Sequence, residues 1–408
     1  MPLNLQQRMM RPLAALRYRD FRLFYSALLV SALGSQIQST ANIWLIYELT
    51  GSPLLLGLTG LARGLPILLF SLIGGVIADR VDRRRLIMLV QAIQGLLGLL
   101  LATLALTRVI EVWHIYLITI IASSLSALNA PARGAIIPSL VPGNSLLNAL
   151  ALNSTVWQTS TLVGPALAGI SIALLGVAAT YAIDGTLHIL TLVSLARMRL
   201  DPVTARARQS ALASLREGLS FVRHQSIITV LLAMDSAAML FGSYRVLLPI
   251  FARDLGVGAD GLGLLLSAPA AGSLIGAAVM MSLGDLRYKG LFVAGGILAY
   301  CLFLVLLACS PWFLLSLGVA IGLGFFDSVQ AIPRNTAIQL ITPNELRGRV
   351  SSFQSMLTNG APALGQAQSG AVAAIIGAPL AIGAGAVTCA ALILGITAAR
   401  RDLRAANL

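Results

Sequence analysis

The sequence predicts an all-α integral membrane protein, with twelve transmembrane helices in two pseudo-symmetric six-helix bundles. Three observations carry this. Apolar runs of about 20 residues, enough to cross a bilayer core, recur from one end of the chain to the other. Only 11% of residues are charged and the mean hydropathy is +0.88. Soluble domains average about 25% charged residues, so this chain could not cover a globule with polar groups. Finally, features of the first half return in the second at a near-constant offset. Membrane barrel strands are excluded because they alternate apolar and polar residues, whereas runs such as LIMLVQAIQGLLGLLLATLAL (86–106) are continuous.

The expected spans are 22–49, 53–78, 84–107, 112–140, 145–174, 177–197, 226–252, 260–284, 290–309, 312–340, 346–376 and 378–399. Basic residues punctuate alternate connections. Arg17, Arg19 and Arg22 precede the first span, Arg80, Arg83, Arg84 and Arg85 follow the second, and Arg197, Arg199, Arg206 and Arg208 follow the sixth. Arg287 and Lys289 follow the eighth, Arg347 and Arg349 the tenth, and Arg400, Arg401 and Arg404 close the chain. The opposite loops carry only Arg108 and Arg253. Positive loops stay inside, so both termini are expected in the cytoplasm, with the protein multi-pass in a bacterial inner membrane. The net charge of +13 then reflects topology and attraction to anionic membrane lipid. Nucleic acid is not an expected partner, because the basic residues are scattered over short loops without stacking aromatics.

The duplication is specific. Ser126, Asn129, Arg133 and Pro142 recur as Asp327, Gln330, Arg334 and Pro343, each 201 positions later (126 to 327, 142 to 343). SLIG occurs at 71–74 and 273–276, and GPALAG (164–169) answers APALGQ (361–366). The expected domains are therefore 1–197, an N-terminal six-helix bundle; 198–225, a cytoplasmic linker with the amphipathic segment ASLREGLSFVRHQ; and 226–408, a C-terminal six-helix bundle.

Cys301, Cys309 and Cys389 lie in apolar runs without paired spacing, so neither a disulfide framework nor a zinc site is indicated. The chain contains no P-loop, HExxH or GxSxG motif. An enzyme is not expected, nor a metal or other cofactor. No cleavable signal peptide is evident.

The loop GGVIADRVDRRR (74–85) resembles the loop between spans two and three of the major facilitator superfamily, a glycine helix end followed by D-R-x-G-R-R/K. Asp79, Arg80, Arg83 and Arg84 match, and Asp82 stands where the family has glycine. YELTGSPLLLGL (47–58) and NAPARGAIIPSLVP (129–142) are similar to the branch holding macrolide-efflux and enterobactin-export proteins. The resemblance covers nearly the whole chain. It implies the major facilitator fold, with two parallel repeats about an axis along the membrane normal. It also implies a gating role for Asp79 and its neighbours, with Asp79 facing the start of span eleven. Arg83 and Arg84 are expected to meet acids or helix C-termini. Arg133 and Arg334 are further gating candidates, with snorkelling to lipid headgroups as the alternative.

Charges deep in a span are costly and usually functional. Asp235, Asp327 and Asp184 are the candidate proton-coupling acids; the alternative for Asp235 and Asp327 is a structural salt bridge to Arg63 or Arg245. His188, one turn beyond Asp184, reads more readily as an interior histidine than as a relay. Asp327, Gln330 and Arg334 share a helical face, forming a wet stripe matched by Ser126, Asn129 and Arg133. A substrate cavity is expected to be walled by Gln36, Thr40, Asn42, Trp44, Arg63, Asn129, Trp157, Gln158, Met239 and Gln330. For the span-one polar groups, interhelical hydrogen bonding is the alternative. Gly164, Pro165 and Gly169 match part of an antiporter motif.

These residues lead to a secondary transporter, monomeric, that exports an amphiphilic drug-like or siderophore-like molecule in exchange for protons. A lipid or lysophospholipid flippase of the same fold and a non-transporting membrane sensor are the alternatives. A membrane-embedded transferase would need clustered acids in a loop, and 198–225 offers only Asp201 and Glu217.

Overall fold

The computed structural model describes residues 11–198, 211–284 and 289–400, with the side chains of 11–13, 72–80, 211–216, 218 and 359 left aside. Within it the chain is helical, and no strand occurs among the described residues. After a 3-10 turn at Arg11–Arg17 come α1 (Arg19–Thr50), α2 (Pro53–Arg80), α3 (Arg83–Leu106), α4 (Val112–Leu140) and α5 (Leu146–Ala196). The amphipathic segment forms α6 (Ala211–His224). Then follow α7 (Ser226–Phe241), α8 (Leu248–Asp254), α9 (Ala259–Leu283), α10 (Lys289–Ala308), α11 (Phe313–Ile341), α12 (Arg347–Ile376) and α13 (Ala378–Ala399).

Among the described residues, nine segments are long and apolar enough to cross a membrane. Two further helices, α1 with 32 residues and α12 with 30, are long enough but more polar. With the backbone satisfied inside each helix, such segments can enter lipid without orphaned amide groups.

A straight α5 of 51 residues would reach about 77 Å at 1.5 Å per residue. It does not run straight. Gly176 breaks it with φ 82° and ψ 170°, a conformation that a side chain would disfavour. The chain reverses there, since the hydroxyls of Ser171 and Thr180, nine residues apart, meet at 2.9 Å. The boundary expected between spans five and six falls at this glycine. Gly377 (φ 85°, ψ 157°) separates α12 from α13 in the same way. It lies 201 positions after Gly176 (176 to 377), so the repeat is written into the backbone as well as the side chains.

The chain divides into two compact units, one of Met1–Asn42 with Leu69–Arg208 and one of Ile43–Leu68 with Gln209–Leu408. The first has an apolar core around Phe21, Ile87, Val90, Ile137 and Leu195. α3 and α5 approach closely, and a methyl group on Gly98 would stand 2.9 Å from Gly185 Cα. The second unit is built around Leu231, Leu247, Leu265, Ile297, Leu323 and Ile382. There α9 packs on α11, with Ser273 Oγ donating to the Gly324 carbonyl at 3.1 Å and Ser328 Oγ to the Ser273 carbonyl at 2.9 Å. The segment Ile43–Leu68 joins this unit through Gly57, where an added methyl would lie 2.8 Å from Gly370 Cα. Small residues at such contacts let helices approach where lipid supplies no hydrophobic drive.

Candidate functional site

Asp235 projects from α7 into the interior of the second unit and is paired with Arg334 of α11. Both are buried, at 2% and 4% exposed. Arg334 Nη1 also donates to Gln330 Oε1 at 2.8 Å, and Gln330 Nε2 donates to Asp327 Oδ1 at 3.1 Å. One guanidinium thus connects to two carboxylates, directly to Asp235 and through Gln330 to Asp327. Gln330 is buried and Asp327 exposed. The expected wet stripe is therefore open at its Asp327 end and closed at its Arg334 end.

The surroundings supply more polarity. Asp327 lies within the electrostatic reach of Tyr244, Arg245 and Tyr300. Arg245 donates to the Leu266 carbonyl at 3.2 Å, and Tyr300 OH to the Gly242 carbonyl at 3.0 Å. Helix α7 ends at Phe241, and a 3-10 turn at Arg245–Leu247 precedes α8. Such a broken segment at membrane depth is tolerated where it is buried in protein or lines a polar cavity. Arg63 is exposed and shares a repulsive field with Arg245. The salt-bridge partner of Asp235 is thus Arg334, not Arg63 or Arg245. Snorkelling of Arg334 to lipid is likewise corrected, because its guanidinium is held inward by Asp235 and Gln330. Met239 is half-buried on α7, and Trp44 packs half-buried against the second unit's core.

In the first unit the polar residues of span one hydrogen-bond within α1 and to neighbouring helices. Thr40 is buried and donates to the Gln36 carbonyl at 3.0 Å. Asn42 accepts from Tyr181 OH at 2.9 Å and donates to Thr119 Oγ1 at 3.1 Å. Gln36 Nε2 donates to Thr161 Oγ1 at 3.0 Å. For Thr40 and Asn42 the expected cavity wall gives way to hydrogen bonding inside the unit, since their polar groups are sequestered from open space. Asn129 is also buried. Arg133 lies over the Trp157 ring, 5.5 Å from its centroid, and Trp157 and Gln158 are exposed. This guanidinium–indole stack brings a gating candidate and a cavity candidate together at a single spot. Asp184 is wholly buried beside His188, with Nε2 and Oδ1 3.3 Å apart.

The loop after α2 is described in part. Asp79 and Arg80 lie outside the described side chains, as Arg199, Arg206 and Arg208 lie outside the described residues. Asp82 caps α3, its carboxylate accepting from the Arg85 backbone N–H at 3.1 Å. Arg83 Nη1 donates to the Ala135 carbonyl at 3.1 Å. Arg84 meets a helix C-terminus, donating to the carbonyls of Leu195 at 3.0 Å and Ala196 at 2.7 Å.

The comparisons with known proteins decide the family. The profile described as transmembrane secretion effector matches residues 10–408. The chain belongs to this family of major facilitator transporters. It is a multi-pass membrane transporter and not an enzyme. Among curated relatives, the enterobactin exporter EntS of Shigella boydii serotype 4 (strain Sb227) is 24% identical over 356 residues, covering 87% of this chain and 86% of the relative. EntS of Escherichia coli O139:H28 (strain E24377A / ETEC) shows the same identity and coverage. The fold is that of solved transporters. A variant of the nucleoside transporter NupG superposes with a TM-score of 0.74 at 14% identity, covering 93% of this chain and 100% of NupG. A bacterial homologue of the human lysosomal transporter Spinster, inward-facing and occupied, gives 0.73 at 14%, covering 96% and 99%.

Sequence reasoning about this transporter passed over Gln91, Tyr181 and Tyr300. Gln91 Oε1 accepts from His188 Nδ1 at 2.5 Å. The signal for it was present, because Gln91 and Gln94 are the only amide side chains in the apolar run 86–106.

Proposed function

We propose that this transporter is a proton-coupled exporter of amphiphilic small molecules, working by alternating access with twelve spans in a bacterial inner membrane and both termini cytoplasmic. The enterobactin exporters among its relatives support the direction and the small-molecule class. The arginine asymmetry supports the orientation. Energy is drawn from a gradient; one charge crossing about 100 mV contributes about 2.3 kcal/mol, which corresponds to roughly fifty-fold accumulation.

One observation supports the coupling site above all: the chain Asp235–Arg334–Gln330–Asp327 sets two carboxylates on α7 and α11 against one shared guanidinium. With both acids ionised and Arg334 positive, these three charges sum to −1. A proton on Asp327, at the exposed end, neutralises the sum, and its loss restores it. A cationic group on a substrate competes for the same acids, which couples export to proton release. Asp327 is the exposed acid of the cluster, and Asp235 is the acid that holds Arg334 in place. Arg133 on Trp157 offers an aromatic, cationic surface suited to a flat amphiphile. Asp79, at the end of α2, is the proposed gate acid.

The test is proton flux measured beside substrate flux in proteoliposomes with an imposed pH gradient. Asp235→Asn and Asp327→Asn should each abolish uphill accumulation while downhill exchange persists. If both variants still accumulate substrate with unchanged proton flux, the cluster is structural and this coupling scheme fails.

A further inference from the structure

The two units bury their carboxylates differently. Asp235 of the second unit faces Arg334, a permanent cation. Counting back 201 positions from Asp235 leads to Gly34 (235 to 34), and Gly34 is a wall of the site that holds Asp184, where an added methyl would come within 2.9 Å of Asp184 Oδ1. The first unit thus places its buried acid beside the counterpart of the other acid's position, but supplies that acid from α5 and gives it a titratable partner, His188.

The site is closed on every side. α1 presents Gly34, and α3 presents Gln91, Gly95 and Gly98; a methyl on Gly98 would stand 2.7 Å from Asp184 Oδ2. Among the described residues, the titratable groups facing Asp184 are His188 and Tyr181, both on α5. The Tyr181 hydroxyl is engaged by Asn42. Neither carboxylate oxygen of Asp184 has a hydrogen-bond donor in good geometry among the described residues, yet Asp184 is 0% exposed. His188 Nδ1 meets Gln91 at 2.5 Å, which anchors the ring and directs Nε2 at Asp184 Oδ1. A bare carboxylate in such a place is strongly disfavoured. One proton between Nε2 and Oδ1 removes the penalty, whether it rests on the imidazole or on the carboxyl.

We propose that Asp184 and His188 form a second proton-binding site, in the first unit, that holds one shared proton while α1, α3 and α5 are packed together and releases it to water when they separate. The step balances simply. The occupied pair is neutral overall, as Asp⁻/HisH⁺ or AspH/His; release of the proton leaves Asp⁻/His, charge −1, and water takes the proton. The glycines on α1 and α3 leave no room for a hydrating water at the packed interface, so the ionised form requires the helices to part. Gln91 is the positioning residue. The link from this site to export rests on the proton-coupled reading above; the proton binding itself does not.

The test uses the full-length protein in lipid nanodiscs, with ring-nitrogen labelling of histidine observed by NMR. The chain has 3 histidines, His114, His188 and His224, so loss of one signal in His188→Gln assigns His188. The expected result is a His188 signal that responds to pH in the parent protein and whose response changes in Asp184→Asn. Asp235→Asn should leave that titration in place. A His188 signal that does not respond to pH in the parent overturns the proposal, as does a response identical in Asp184→Asn. Because the parent supplies the first readout, a poorly folded variant does not rescue the idea. Failure of export coupling in the Asp235 and Asp327 variants bears on the other cluster alone.

Discussion

Asp235 on α7 is held by Arg334 on α11, 99 positions away in sequence (235 to 334). The pair is buried, so desolvation opposes it and the mutual attraction, with the bond to Gln330, offsets that cost. A pair balanced in this way stabilises the unit modestly while intact and strains it when either partner changes. That makes it suited to switching.

Removing one partner leaves the other buried and unpaired. Arg334→Gln should therefore destabilise the protein by about 3–5 kcal/mol. The paired change Asp235→Asn with Arg334→Gln should recover most of that loss, because no buried charge remains. Thermal unfolding in detergent of the single and double variants gives the coupling energy. Additive losses would mean the two side chains do not depend on each other.

Asp82 occupies the position where the resembled loop carries glycine, and its carboxylate caps α3. Asp82→Ala should cost about 1 kcal/mol of stability, whereas Asp82→Ser should cost much less. Transport per folded molecule should stay near the parent value for both. A transport defect in Asp82→Ala at full stability would make Asp82 a gate residue rather than a cap.

Arg84 donates to the last carbonyls of α5, where the helix dipole is negative. Arg84→Gln should lower stability by about 0.3–1 kcal/mol, and Arg84→Lys should keep part of the effect. The loss should shrink as salt is raised, since the site is partly exposed. A salt-independent loss in a denaturation series would point to packing in place of charge.

Gly98→Ala tests the tight wall around Asp184. The added methyl would lie within 2.9 Å of both Asp184 Oδ2 and the Gly185 backbone, and over-packing of this kind costs about 1–3 kcal/mol. By contrast Gly295→Ala, on α10 with open space around it, should be neutral or slightly stabilising. Unfolding midpoints of the two variants that coincide would contradict the packing described.

Orientation is open to direct chemistry. In a cysteine-free background, a cysteine placed at Ser52 or Ser310 should react with a membrane-impermeant maleimide applied outside intact cells. One placed at Arg83 or Arg206 should react only after permeabilisation. The reverse pattern would invert the proposed topology.

Most of the membrane architecture was legible in the sequence, because its causes are local or compositional. Run length decides whether a helix can span. A fixed offset of 201 (133 to 334) exposes the duplication, and the same offset relates the two glycine reversals at Gly176 and Gly377. The cap at Asp82 was also readable, as an acid just ahead of an apolar helix. Partner choice was not. Helical period places Asp327, Gln330 and Arg334 on one face of α11, but how α7 is rotated against that face is set by packing across the unit. Only the tertiary structure brings Asp235 to Arg334, His188 to Gln91 and Tyr181 to Asn42. Asp184 and Asp235 look alike as intramembrane acids in sequence. Their difference is a titratable partner one turn along the same helix for Asp184 and a permanent cation brought from another helix, 99 positions away (235 to 334), for Asp235.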